Sequence, residues 1–284
     1  MIIRYAKHYD LRSCGTYVYR RHLKDMFYSG YMPGKHHSII KELNQAINKN
    51  QVLIAETRNL VQGILVWGKY DESSTSYDVA GPYIESESVS LAAEMLETMQ
   101  ADLDQMLDLN FFFKENSSFY TKFMKHINAT FNSNEYVLRL NKEDFNPLES
   151  DEVFVKKMEE SDASKVKSIH ETLFQNVYVT SDMVLKSKEA YLIYTKEDTI
   201  GYAVVRNQPN RLYLELFGIT ETFRNKGYGR KALSKVLALT FESSKKTVCD
   251  LVVEADNRQA TRVYKDAGFK ELSTNVSYTL KAKA

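Results

Sequence analysis

The chain has 284 residues, of which 43% are hydrophobic, and a formal net charge of +1. That length is generous for one domain and comfortable for two, and the near-neutral balance gives no electrostatic reason to expect nucleic acid or an anionic membrane surface as partner. The N-terminal MIIRYAKHYD has no apolar signal core, no stretch reaches the roughly 18 apolar residues of a membrane span, and Cys14 and Cys249 follow no metal or redox spacing, so a soluble cytoplasmic protein with reduced cysteines and no metal is expected.

Taken in chain order, the sequence states one plan twice. In the first half AETRNLVQGILVW reads as strand, polar turn and second strand, VAGPYI follows, and the segment from Phe111 reads as strand, Asn, short helix, Phe, turn, strand. In the second half IYTKEDTIGYAVV, LFGITE and the segment from Leu251 repeat that order. Gly63 answers to Gly201 at an offset of 138, Gly81 to Gly218 at 137, and Asn116 to Asn257 at 141. The join falls at 141–152, around Pro147, which gives domains over 1–144 and 150–284.

Within the second half the elements run as VFVKK, helices near 162–174 and 181–188, AYLIYT, GYAVVR, LYLELFGI, a helix over about 229–242, TVCDLVVE, a helix over about 258–267, and two strands near 270 and 276–280. Asn207, Pro209 and Asn210 mark the turn before LYLELFGI. The fold class is α/β, an α+β mixed sheet flanked by helices, used twice.

The stretch FRNKGYGRKAL (223–233) places Gly227 and Gly229 among Arg224, Lys226, Arg230 and Lys231 at the start of a helix. Glycines before a helix N-terminus let backbone amides converge on a phosphate, helped by the helix dipole. A solvated basic face at a helix start would read the same. G-x-x-x-x-G-K-[ST] is absent, and GYGRKA, with Asp250 about 20 residues on, meets the Rossmann pattern only by accident: Gly227 lies well past the strand end and too little chain follows for several βα units.

Arg224, Asn225, Lys226, Gly227, Tyr228 and Gly229 fit the pattern [RQ]-x-x-G-x-[GA], and Asn257, Ala260, Tyr264, Gly268 and Phe269 fit N-x-x-A-x-x-x-Y-x-x-x-G-F. With both spacings in this order, the second half resembles the GNAT superfamily of N-acetyltransferases, closely over 212–280. The resemblance implies acetyl-CoA as co-substrate, with its pyrophosphate on Arg224, Asn225, Lys226, Gly227, Tyr228, Gly229 and Arg230. It also implies contact with Asn257, and a pantetheine arm along the backbone of Phe217, Gly218 and Ile219 where two strands splay. Tyr264 would protonate the departing thiolate, although a core aromatic would show the same spacing.

Glu215 is the polar exception in an apolar strand, and a desolvated carboxylate suits a base for an ammonium substrate; pairing with a neighbouring cation is the alternative, and Glu254 a weaker substitute. His170 falls in the helical region that borders the acceptor in the resembling family. Adjacent His36 and His37 point in different directions and complete no metal set.

Carried forward at 137, the repeat sets ESESVSLAA (85–93) against TFRNKGYGR, with Glu87 for Arg224 and Ser90 and Ala92 for the glycines, a loop of equal length and opposite charge. Phe123 stands against Tyr264 at 141. The first half is therefore expected to be a degenerate GNAT-like unit with a structural role. The reading is an N-acetyltransferase acting on a small-molecule or peptide amine, as monomer or homodimer. A non-catalytic acyl-CoA sensor is the alternative, and an aminoacyl transferase using charged tRNA is disfavoured by the coenzyme loop and the charge.

Overall fold

The computed structural model describes residues 1–69, 74–103, 107–174, 177, 179–187, 189–208 and 210–282. Pro209 and Lys188, named above as a turn and a helix end, lie outside these residues. The chain forms two compact units, one of Met1–Glu135 with Thr274–Ala284 and one of Tyr136–Ser273.

In the first unit the strands are β1 (Ile2–Tyr5), β2 (Val52–Thr57), β3 (Leu60–Gly68), β4 (Ser76–Ile84) and β5 (Asp108–Lys114), with helices α1 (Leu11–His22), α2 (His36–Asn48), α3 (Val89–Ala101) and α4 (Ser118–His126). Its sheet order is β1-β2-β3-β4-β5-β12, with β4 and β5 parallel and the other recorded pairs antiparallel. The last of these, β12 (Lys270–Leu280), is the C-terminal strand of the whole chain, and its residues 275–280 pair with β5.

The second unit holds β7 (Phe154–Lys157), β8 (Ala190–Tyr194), β9 (Thr199–Asn207), β10 (Leu212–Ile219) and β11 (Val248–Glu254), with α5 (Ala163–Leu173), α6 (Ser181–Leu185), α7 (Tyr228–Glu242) and α8 (Arg258–Asp266). Here β11 is flanked by β6 (Thr130–Asn141), which leaves the first half of the sequence to do so. Each unit thus takes its sixth strand from the other half of the sequence. The linear boundaries of 1–144 and 150–284 cut across this exchange, because β6 and β12 each read as the closing strand of their own half. The two short strands expected near 270 and 276–280 are the single strand β12.

The cores follow the strand alternation. On one face of the second sheet, Leu212, Leu214 and Ile219 pack with Ala232, Val236 and Tyr264 of α7 and α8. On the other, Leu216, Tyr202 and Val204 pack with Val166 and Ile169 of α5. The change of face between Leu214 and Leu216 is made by a bulge: Leu214 lies opposite Val205 and Leu216 opposite Val204, so Glu215 is the extra residue.

Strand register corrects the repeat alignment. Gly63 lies opposite Ile84 and Gly201 opposite Ile219, so Ile84 answers to Ile219, and Tyr83, not Gly81, answers to Gly218. The helix starts then differ: Ser88 caps α3 and Gly227 caps α7. Between strand and cap lie Glu85–Glu87 in the first unit and Thr220–Lys226 in the second, so the first-half loop is shorter, not equal in length. On α4, Ser117 accepts from Tyr120 N as Asn257 accepts from Ala260 N, and Ala129 N bonds Met124 O as Phe269 N bonds Tyr264 O. Met124, not Phe123, therefore stands in the place of Tyr264; it too lacks a hydroxyl. A constant offset fails wherever one half carries a loop that the other does not.

The first unit buries His22 against Tyr28 and Tyr83, where its Nδ1 accepts a long 3.4 Å bond from Ser29 N. Burial, with the charge of Lys114 adding to it, pushes the imidazole down to about 4. Below about pH 6.5 the unfolded chain takes up a proton that the folded chain refuses until about 4. Stability present above pH 6.5 should therefore be lost on acidification across that window, by about 3 kcal/mol at the acid limit. Urea midpoints measured against pH should show this slope in the wild type and a shallower one in His22→Gln; equal slopes would contradict it.

Candidate active site

The parallel strands β10 and β11 are in register only at Leu212–Cys249 and Tyr213–Asp250. Beyond that pair, and past the bulge at Glu215, they diverge. At the root of the gap Asp250, 1% exposed, accepts two bonds from Arg139 at 2.7 and 2.8 Å and one from Arg211 at 2.7 Å, a fixed clamp of buried charge. The gap opens into a cleft of about 840 Å³ within the second unit.

Phe217, Gly218, Ile219, Arg224, Asn225, Gly227, Gly229, Arg230, Asn257 and Tyr264 all line this cleft. Residues set apart by some fifty positions in sequence are gathered by one strand end, one loop and one helix. Lys226 and Tyr228 lie outside the lining: Lys226 Nζ sits 5.5 Å above the Phe223 ring, and Tyr228 packs beside the same ring.

The loop is built to leave amides exposed. Asn225 adopts φ +60° and Gly227, the N-cap of α7, φ +80°, a left-handed conformation that glycine tolerates without strain. Gly227 offers no capping side chain, so the first-turn amides of α7 meet no side-chain acceptor from the cap. A Cβ at Gly227 would meet nothing within 4 Å, and one at Gly229 only Ile219 Cγ1 at 4.0 Å. Packing within the protein does not require glycine at 229. The space beside it belongs to the cleft, a cradle for an anion at the positive end of a helix. In the first unit the matching N-terminus is closed, since Ser88 Oγ accepts from Leu91 N.

The cations divide their work. Arg224 Nε donates to Ile219 O at 2.9 Å and pins the loop to the end of β10; Arg230 pairs with Asp266 at 3.5 Å, and Lys231 with Glu152. Gln259 Nε2 donates to Asn225 Oδ1 at 2.9 Å, tying α8 to the loop. Asn257 Oδ1 caps α8 by accepting from Ala260 N at 3.1 Å, and the residue lines the cleft.

Tyr264 is 8% exposed, set against Phe217 and edge-on to Phe269. Burial, reinforced by nearby Tyr213, holds its phenol well above the ordinary value, so the hydroxyl keeps its proton at neutral pH. Glu215 is not part of the lining. Its side chain is 3% exposed and its carboxylate accepts from Arg206 Nε, so the desolvation expected of it is present together with the cation pairing. Glu254, at the exposed end of β11, is also outside the lining.

His170 likewise does not line the cleft. Its Nδ1 lies 2.6 Å from Tyr202 Oη, its ring stacks on Tyr202, and burial holds it below its ordinary value against opposing effects of the Val179 backbone and Glu171. Leu173 and Phe174, at the end of α5, do reach the cleft: a Cβ on Gly218 would lie 2.8 Å from each. Sequence reasoning missed these two because they arrive from another element, and missed Arg258 and Arg262 because they look like a solvated helix face. The signal for the arginines was their position just after Asn257 and one turn apart.

The fold seen in both units, a mixed sheet whose central parallel strands splay beside a helix N-terminus, is that of GNAT proteins. A GCN5-related N-acetyltransferase from Sphaerobacter thermophilus matches with a TM-score of 0.77 at 12% identity, over 100% of this chain and 96% of that one. A tandem GNAT protein from the clavulanic acid biosynthesis pathway matches with a TM-score of 0.57 at 12% identity, over 82% and 83%. The GCN5-related glucosamine N-acetyltransferase region of a fungal multi-domain GH3 β-N-acetylglucosaminidase matches with a TM-score of 0.71 at 10% identity, over 98% of this chain and 38% of that one. At such identities the likeness is one of fold, and it includes the N-terminal region. Residues 154–269, within the second unit, match the acetyltransferase (GNAT) family. A comparison with curated proteins gave no match. Among the described residues no helix is long and apolar enough to cross a membrane.

Proposed function

We propose that the second unit transfers an acetyl group from acetyl-CoA to a primary amine of a small molecule or peptide. The observation that carries this reading is the open cradle at Gly227 and Gly229, which leads along splayed strands to a buried, protonated Tyr264. Acetyl-CoA supplies a thioester as acyl donor. The loop amides and the first turn of α7 fit its pyrophosphate, and Asn257 lines the same cleft. The edge of β10 that faces away from β9 at Phe217, Gly218 and Ile219, past the end of its pairing with β11, fits an amide-bearing arm.

In the reaction a C–N bond forms, the thioester C–S bond breaks, the amine gives up a proton to water, and the leaving sulfur takes one from Tyr264, whose phenolate is reprotonated from water. Tyr264 holds the proton that the sulfur takes, at its phenolic oxygen. Phe217 and Leu173 help to keep water from the cleft, and positioning carries much of the rate. Glu215, the bulge residue of the β9–β10 pair, is tied to Arg206 and lies outside the cleft lining, so in this reading it positions β10 rather than receiving the amine proton directly. The first unit, with its closed α3 terminus and Met124, serves as a structural partner that does not bind coenzyme.

Amine-dependent release of CoA tests the proposal: acetyl-CoA is supplied with a panel of polyamines, aminoglycosides, amino acids and peptide N-termini, and products are weighed by mass spectrometry. An acetylated amine is the expected result. Binding of CoA with no turnover on any amine would favour the acyl-CoA sensor instead.

A further inference from the structure

Arg258 and Arg262 line the cleft and are both exposed, and neither has an acidic partner among the described residues. Their placement is electrostatically unfavourable on its own. Arg258 is the first residue of α8, at the positive end of that helix, where a cation is disfavoured. Arg262 follows one turn later, and like charges four residues apart on a helix repel. Asp266, a further turn on, is paired with Arg230. A second group of the molecule held at the loop would offset these costs if it were an anion.

Resting on the coenzyme reading above, we propose that Arg258 and Arg262 form a separate phosphate-monoester subsite, which takes the ribose 3′-phosphate of coenzyme A and makes the protein discriminate against dephospho-CoA. The pair flanks the cradle without being part of it: Gln259, between them, is bonded to Asn225 of the loop. Along α8 the distance from Arg258 to Tyr264 is about 9 Å at the helical rise, so the arginine lies toward the mouth and the phenol toward the reacting end. Once the pyrophosphate sits on the loop amides, the remaining phosphate of the coenzyme is a monoester that carries more charge than a diester and suits two guanidinium groups.

Calorimetry on the full chain with CoA and with dephospho-CoA, for the wild type and for Arg258→Ala/Arg262→Ala, separates the possibilities. The wild type should favour CoA by about 10- to 100-fold, the range for charge-assisted hydrogen bonds. In the double variant the preference should fall to near one while the affinity for dephospho-CoA stays as it was, and Arg258→Lys/Arg262→Lys should keep part of the preference. Equal wild-type affinities for the two ligands, as expected if the pair served a phosphorylated acceptor, would overturn the subsite while leaving the coenzyme reading standing. So would a variant that weakens both ligands alike. Failure of the wild type to bind either ligand would overturn both.

Discussion

Gly229→Glu should abolish coenzyme binding, raising the Kd for CoA by at least about 100-fold, in a protein that unfolds at an unchanged or higher temperature. A side chain at 229 has no protein atom in its way except Ile219 Cγ1 at 4.0 Å, so it is accommodated by the cleft and by nothing else. The backbone there is helical, and an acidic residue in the first turn of α7 is favourable to the helix itself. Folding therefore loses nothing, while the carboxylate takes the place of the phosphates and repels them. Gly227 is the less clean position, since its φ of +80° adds about 1–2 kcal/mol of strain to any other residue. Calorimetry together with thermal unfolding checks the prediction; a well-folded Gly229→Glu that binds CoA as the wild type does would remove the loop from the account.

Tyr264→Phe should lower kcat by about 10- to 1000-fold, since general-acid assistance is typically worth about 10²–10⁴ and water substitutes in part. The ring packs against Phe217 and Phe269, contacts that phenylalanine keeps, so CoA affinity and stability should hold. The sign of the pKa shift matters here. Burial favours the neutral phenol, so the group is a proton donor across the physiological range and ionises only at higher pH than an ordinary tyrosine. Rapid-quench measurement of the acyl-transfer step decides the point, and an undiminished rate in the variant would make Tyr264 a core aromatic.

What could be read from the sequence was local. The glycine loop, the α8 motif and the strand before them each announce themselves within about a dozen residues, because a left-handed glycine, a helix cap and an apolar strand are short-range requirements. What could not be read depended on pairing. Glu215 meets Arg206 because β9 and β10 are neighbours in a register altered by a bulge, and bulges leave no signature in residue type. Leu173 and Phe174 face Gly218 only once α5 is laid across the sheet. The exchange of β6 and β12 between the two units is invisible because either strand satisfies the same alternation. The repeat was legible but its offset was not constant, which set Phe123 rather than Met124 against Tyr264 and gave the first half a longer loop than it has.

These points converge on one claim, that coenzyme A occupies the cleft of the second unit and no equivalent place in the first. Hydrogen–deuterium exchange of the full chain, followed by peptide mass spectrometry with and without saturating CoA, tests it most directly. The account predicts slowed exchange over 217–231 and 257–264, with 84–92 and 117–124 unchanged. Protection of the first-half segments, or none over 217–231 at saturation, would contradict it.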